Sequence, residues 1–121
     1  KLIEKLFTDG SSFLVYPFRI VWLSELSDSV HPVQVLISVP KKRFKRAVDR
    51  NLIKRRIREV YRLHKSEYLY PFLNEHSVGL ILGITYIGNE IGEYAFLDKK
   101  FKDALHRLKK LYLSSHVEKD S

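Results

Sequence analysis

Apolar residues recur along this chain in short runs that predict four β-strands. Residues 13–16 and 18–23 are aromatic, aliphatic and β-branched, and Pro17 separates them. Residues 33–39 alternate apolar and polar positions, which is typical of a strand with one buried face. Residues 78–86 form a nearly continuous apolar run, as expected of a central strand that is buried on both faces.

The second predicted strand has two different faces. Strand alternation places Phe18, Ile20 and Trp22 on one face and Arg19, Val21 and Leu23 on the other. Because both faces are largely apolar, we expect helices to cover one of them and a ligand cleft to use the other.

Helical spacing of apolar residues predicts two helices that flank the first three strands. Residues 1–7 form the first, with Gly10 just past its end. A longer helix follows Pro40 and runs as far as Tyr70, since the residue before a proline disfavours helix. Residues 71–76 are then expected to form a loop.

A last helix is predicted after the fourth strand, with Asp98 as its N-cap. Its apolar stripe comprises Phe101, Ala104, Leu105, Leu108, Leu111 and Tyr112. Residues 114–121 are expected to be a flexible tail. The element order is therefore αβββαβα, which predicts an α+β fold with a mostly antiparallel four-stranded sheet and helices packed on it.

Composition limits the classes of protein to which the chain can belong. Its 121 residues, 45% of them hydrophobic, fit one globular domain over residues 1–121. The absence of cysteine excludes disulfides, thiolate zinc sites and cysteine nucleophiles, and suits a reducing, cytoplasmic location. No apolar run approaches the roughly 20 residues of a membrane span.

Positive charge is concentrated in one stretch, residues 41–65. It holds 12 Lys or Arg and two acids, so it carries +10, whereas the whole chain carries +8. The remaining residues therefore sum to −2. Most charge runs are simply solvated surfaces, but most of those alternate in sign. This density favours a polyanionic partner, and nucleic acid is the leading candidate.

The basic stretch has the pattern of an amphipathic helix. Arg50, Lys54, Arg58 and Arg62 form a row at one-turn spacing, with Asn51 and Arg55 beside it. The opposite side is predicted to be apolar and comprises Val48, Leu52, Ile53, Ile57, Val60 and Leu63. Arg56 falls within the apolar arc, so we expect its guanidinium to reach an edge of that arc.

No catalytic constellation accompanies this helix. The five histidines show no metal-ligand spacing, and the acids form no cluster suited to Mg²⁺. We therefore predict no catalytic residue and no metal ligand in the protein. Aromatic residues, Phe7, Tyr16, Phe18 and Trp22 among them, have the chemistry to stack on unpaired bases. Each of them also fits a place in the core.

The segment AVDRNLIKRRIRE, residues 47–59, resembles the AVxRNxxKRxxRE signature of the protein subunit of bacterial ribonuclease P. Upstream, Lys41 and Lys42 follow an apolar strand as in that family. Ile3 and Phe7 occupy positions of the family's first-helix pattern, in which an aromatic residue is frequent where Ile3 stands. The αβββαβα order also matches.

The chain departs from the family pattern at several positions. Leu52 replaces the last arginine of the RNR triplet, and the usual glycine between Lys42 and Arg50 is absent. Thr85 and Tyr86 stand where the family often has an arginine after the last strand.

The resemblance implies a ribonucleoprotein endoribonuclease that removes the 5′ leader of precursor tRNA. Its catalytic component is the ribonuclease P RNA with Mg²⁺ held mainly by that RNA, and the protein alone is not catalytic. The residues implied to anchor this RNA are Arg46, Arg50, Asn51, Lys54, Arg55, Arg58 and Arg62. Those implied to contact the leader are Ile3, Phe7, Trp22, Lys41, Lys42 and Arg43. The family fold also implies a left-handed crossover through the basic helix.

Three other functions remain open at this point. A ribosomal or general RNA-binding protein would present the same basic helix without any processing role. A membrane-surface helix is disfavoured because the stretch is so cationic and has few bulky apolar anchors. A nuclease that acts without RNA lacks the residues for the chemistry. Neither a membrane nor a protein partner is indicated.

Overall fold

Four strands form one mixed sheet in a computed structural model that describes residues 6, 10–26, 33–76 and 78–120. The strands are β1 (Ser11–Val15), β2 (Phe18–Leu26), β3 (Val33–Ser38) and β4 (Val78–Tyr86). Their spatial order is β1-β2-β4-β3, in which β3 alone pairs in parallel with its neighbour. The prediction of a mostly antiparallel four-stranded sheet is confirmed, and β4 has the predicted bounds.

Helical segments connect β3 to β4, and a further helix follows β4. They are α1 (Ala47–His64), a π-helical turn (Lys65–Leu69), α2 (Tyr70–His76) and α3 (Tyr94–Asp120). Because β3 and β4 are parallel, α1 lies within a crossover connection; its handedness stays a prediction. The predicted first helix lies outside the described residues except for Leu6, which is helical and fully buried. The α+β class is confirmed.

The main core lies between one face of the sheet and the helices. Phe18 is fully buried, and its ring packs edge-on against Phe101 of α3 at 5.8 Å between ring centroids. Ile53, Ile57 and Val60 bring α1 onto the same core, at roughly 1.5–3 kcal/mol for each side chain that is fully buried. No helix within the described ranges has the length and apolarity to cross a membrane.

The predicted loop over residues 71–76 is wrong, because the chain is helical there. Leu69 and Leu73 are almost completely buried, so continuing the helix places two large apolar side chains in the core. The π-helical turn accommodates the change, with the N–H of Tyr70 donating to the carbonyl oxygen of Lys65. Pro71, which has no N–H to donate, then lies directly after this turn as the second residue of α2.

Asp98 does not cap the last helix, which begins a full turn earlier at Tyr94. Its carboxylate instead lies 2.5 Å from Nε2 of His64, so that it joins α3 to the end of α1. The helix continues to Asp120, beyond the predicted end near residue 113. The flexibility of residues 114–121 stays a prediction.

The outer face of the sheet carries a second, smaller cluster. Leu6 packs there with Val21 and Ile81. Gly10 follows closely, and its N–H donates to the carbonyl oxygen of Leu6 at 2.9 Å. A Cβ at Gly10 would collide with the backbone carbonyls of Leu6 and Trp22, so this close approach requires glycine. The two faces predicted for β2 are confirmed.

Candidate nucleic-acid interface

A tight turn at the end of β3 leads into the basic helix. The backbone N–H groups of Arg43 and Phe44 both donate to the carbonyl oxygen of Pro40, at 3.2 and 3.3 Å. Phe44 is buried, and its ring packs on Tyr86 at 5.9 Å between centroids. This anchor leaves Lys41, Lys42 and Arg43 exposed at one end of the sheet.

Arg50 connects this turn to the first part of α1. One of its guanidinium nitrogens, Nη1, donates to the carbonyl oxygens of Phe44 at 2.8 Å and Lys45 at 2.9 Å. The side chain is half-buried. Arg50 was predicted only as an RNA anchor, and the structure gives it a second role in holding the turn that carries the preceding lysines.

The most exposed side of α1 is a cationic row. Its members, Asn51, Arg55, Arg58 and Arg62, are all exposed and lie within roughly 60° of one another around the helix axis. They point away from the buried Ile53, Ile57 and Val60. Hereafter these four residues are called the exposed row. Lys54 is half-buried beside it, and Arg46 is exposed just before the helix.

The predicted apolar side of α1 is narrower than expected. Val48 is 66% exposed and Leu63 is 49% exposed, so assigning them to the buried side was wrong. At 100° per residue Val48 lies close to the direction of the exposed row. Leu63 lies beside the buried arc, outside the contact with the sheet. Two apolar side chains therefore flank the cations on the open surface.

Few of the predicted RNA anchors are neutralised by the protein itself. Arg62 pairs with Glu59 one turn earlier at 2.5 Å, and this hydrogen bond and charge raise the pKa of the arginine. In the part of the chain that the structure describes, no carboxylate pairs with Arg46, Arg50, Lys54, Arg55 or Arg58. Within the exposed row, Arg55 and Arg58 thus offer uncompensated positive charge to solvent.

Arg56 reaches an edge of the apolar arc, as predicted. Its Nη1 donates to the carbonyl oxygen of Gly92 at 2.7 Å, in the loop between β4 and α3. The Tyr86 hydroxyl organises the same loop by donating to the carbonyl of Glu90 at 2.6 Å and accepting from the N–H of Gly92 at 3.0 Å. Arg56 is therefore a tether between α1 and this loop.

Trp22 does not lie in an open groove. Only 6% of the residue is exposed, and its ring packs in the main core at 6.4 Å from that of Tyr112, between centroids. This contradicts its predicted contact with a leader, because the helix-covered face of β2 carries it away from solvent. Ile3 and Phe7 lie outside the described residues, so their predicted contacts stay predictions.

The open part of the outer face adjoins Lys41–Arg43. Its side chains include Arg19 of β2, which pairs across the strands with Thr85, and Leu36 of β3, which is 38% exposed. Arg19 was assigned to this face but not to a site, because one arginine in an apolar strand gives little signal. Asn89 was also missed; it accepts a hydrogen bond from Arg43 at 2.6 Å.

Acidic and histidine side chains do not gather into a metal-sized cluster. Over residues 6, 10–26, 33–76 and 78–120, no three of them are placed to hold one ion. The arrangement that the described residues offer is therefore one for binding anions: a cationic helix surface, a cationic turn, and an open sheet face beside it.

Comparison with known proteins gives a consistent result. A family model described as Ribonuclease P matches residues 1–85. A ribonuclease P protein component from Porphyromonas gingivalis is 34% identical over 106 residues, which cover 88% of this chain and 77% of that protein. One from Chlorobaculum tepidum is 63% identical over 35 residues, 29% of this chain and 23% of the relative.

Solved structures share the fold. The Staphylococcus aureus RNase P protein superposes with a TM-score of 0.68 at 22% identity, covering 88% of each chain. The RNase P protein from Thermotoga maritima also gives 0.68, at 19% identity, over 87% of this chain and 89% of that one. At these identities the likeness concerns the fold alone.

Proposed function

The chain belongs to the ribonuclease P protein family, and from that premise we propose which surfaces bind its two RNA partners. It is the protein component of a ribonucleoprotein endoribonuclease, whose RNA subunit is its partner. Helix α1 docks on the ribonuclease P RNA through the exposed row, with Arg46, Arg50 and Lys54 at its edges. The turn at Lys41–Arg43 and the open sheet face hold the 5′ leader of precursor tRNA.

The observation that carries the first assignment is the uncompensated charge of two arginines in the exposed row. Arg55 and Arg58 are exposed to solvent, and neither has a carboxylate partner within the described ranges. Like charges at this spacing on a helix repel, at roughly 0.2–0.5 kcal/mol per pair. An RNA backbone turns that repulsion into attraction and releases counterions, so docking is favourable and dependent on salt.

The leader assignment rests on placement. Lys41, Lys42 and Arg43 are exposed where β3 ends, and the outer face of the sheet opens beside them. A single strand of RNA has flexible phosphates and unstacked bases, which suit a cationic rim next to a partly apolar surface. Leader binding of this kind would favour precursor over mature tRNA.

The cleavage chemistry belongs, in this proposal, to the RNA subunit and the Mg²⁺ ions bound to it. The described side chains do not fit a protein-held Mg²⁺ site, since they offer no cluster of oxygen donors. No step is therefore assigned to a protein-bound ion. We place the reaction in the cytoplasm, which the absence of cysteine suits.

A reconstitution experiment tests the proposed function. The protein is mixed with ribonuclease P RNA at low Mg²⁺, and cleavage of a precursor tRNA is followed with and without protein. We expect the protein to stimulate leader removal, because it supplies cations that the low Mg²⁺ does not. A protein that merely bound RNA, such as a ribosomal protein, would leave the cleavage rate unchanged.

A further inference from the structure

A cavity of about 440 Å³ opens beside the hairpin of β1 and β2. These two strands line it directly, and β3 and β4 contribute through residues that follow them in the chain. Ser12, Phe13 and Leu14 come from β1, Arg19 from β2, Arg43 from the turn after β3, and Ile87 from the residue after β4. The backbone N–H of Ile87 donates to the carbonyl of Pro17 at 2.8 Å, which holds that wall against the hairpin.

Two guanidinium groups line this cavity without a counterion. Arg19 and Arg43 are both exposed, and neither has a carboxylate partner among the residues that the structure describes. Arg43 is oriented by Asn89, whose side-chain oxygen accepts from it at 2.6 Å. Because this acceptor is neutral, it positions the guanidinium and leaves its charge available. Among the described residues that line the cavity, none is acidic.

The lining selects a particular kind of anion. A pair of arginines is suited to the oxygens of a phosphate, which each can bind with two parallel hydrogen bonds. The hydroxyl of Ser12 adds a donor, and Leu14 and Ile87 supply an apolar wall for a sugar or base. A nucleotide of a single strand has a phosphate for the arginines and a sugar and base for the apolar wall. An inorganic anion would bind the arginines without contacting that wall.

We propose that this cavity is a phosphate subsite for single-stranded RNA, in which Arg19 and Arg43 share one backbone phosphate. It extends the path of the leader from Lys41–Arg43 across the outer face of the sheet to β1. The proposal rests on the proposed function for the identity of the strand. The binding chemistry itself depends only on the two arginines, the hydroxyl and the neutral brace at Asn89.

The test uses the assembled ribonucleoprotein with two substrates, a precursor tRNA with a full leader and one whose leader is cut to a single nucleotide. Arg19→Gln should weaken binding of the first by about fivefold, the upper range for an exposed charge pair. Its salt dependence should fall by about 0.7 in log–log slope. Binding of the short-leader substrate should not change, and Arg19→Lys should restore part of the loss.

Lys99→Gln is the matched control, since it removes one exposed charge from α3, away from the cavity. Replacing leader phosphates one at a time by neutral methylphosphonates should reveal a single position at which the Arg19→Gln effect disappears. Equal loss on both substrates, or no loss on either, would overturn the proposal.

The phosphate subsite can be tested independently of the proposed function. If the wild-type protein does not stimulate cleavage, the subsite is tested on the free protein with a short fluorescent single-stranded RNA. Arg19→Gln should then weaken binding while Lys99→Gln does not. Unchanged binding by Arg19→Gln in that assay would remove the subsite, whatever the reconstitution showed.

Discussion

The guanidinium of Arg50 donates to the backbone carbonyl of Phe44 across the turn that precedes α1, at 2.8 Å. Phe44 is itself held in the core against Tyr86. Through this pair the first part of the basic helix, the cationic turn and the end of the sheet are joined. An arginine of the family signature therefore shapes the interface as well as carrying charge on it.

A comparison of Arg50→Met with Arg55→Met should distinguish an arginine that holds the turn and carries charge from one that only carries charge. Loss of the hydrogen bonds to Phe44 and Lys45 should lower the free energy of unfolding by about 1 kcal/mol. Arg55→Met, at an exposed position, should change it by less than about 0.5 kcal/mol. Urea unfolding measures both. Equal stabilities for the two variants would show that the bonds to the turn contribute nothing.

Charge reversal on the exposed row should abolish docking on the RNA subunit. In Arg55→Glu/Arg58→Glu, two attractive contacts become repulsive while no buried residue changes. For the wild type, five or six neutralised phosphates predict a log–log salt slope on the order of −4 to −5. Filter binding across a salt series measures both quantities.

The control for that experiment is Lys99→Glu/Lys110→Glu, which makes the same change in net charge on exposed positions of α3. It should retain most of the affinity, because long-range effects of net charge are screened by salt. If both double variants lost binding equally, overall charge rather than the exposed row would be responsible.

Trp22 should behave as a core residue. Trp22→Ala should lower the free energy of unfolding by about 3–5 kcal/mol, as expected for a large buried ring. Since it is the only tryptophan, its fluorescence reports on this site alone. Emission should be that of a buried indole and should not change when single-stranded RNA is added. Quenching by the RNA would instead mean that the ring is accessible to the strand.

Stability should fall in alkaline solution because of buried tyrosines. Burial, reinforced by Tyr70, raises the pKa of Tyr61 above its usual value, and burial also raises the pKa of Tyr86. The unfolded chain loses these protons near pH 10, whereas the folded chain retains them. The stability that these two tyrosines contribute is therefore fully present below about pH 10 and is lost as pH rises further.

The urea midpoint followed from pH 8 to 11 measures this decrease. Tyr61→Phe should flatten the alkaline part of the curve. Tyr86→Phe should also lower stability at neutral pH, because its hydroxyl bonds Glu90 and Gly92. An alkaline slope that persisted unchanged in Tyr61→Phe would assign the effect to other groups.

Much of this molecule follows from local pattern. Alternation along β2 assigned Phe18 and Val21 to opposite faces, and both assignments hold because neighbouring side chains in a strand must diverge. The charge of the basic stretch and the burial of Ile53 and Ile57 follow in the same way from helical periodicity. These features depend only on residues close together in the chain.

Tertiary packing decided the rest. Pattern alone could not tell that helices cover the face of Trp22, since both faces of β2 are apolar. Nor could it tell that the helix continues through Pro71, although the residue before a proline disfavours helix. The continued helix buries Leu69 and Leu73 in the core. Distant contacts carry enough burial energy to override such preferences.

The cavity lined by Arg19 and Arg43 also depends partly on local sequence and partly on tertiary packing. The sequence determined that each is a cation, and that Arg19 lies on the face of β2 opposite Phe18. Only the fold brought them together, because β2 and the turn after β3 meet through the strand order β1-β2-β4-β3. Periodicity describes which way a side chain points, whereas the pairing of strands distant in sequence determines what it faces.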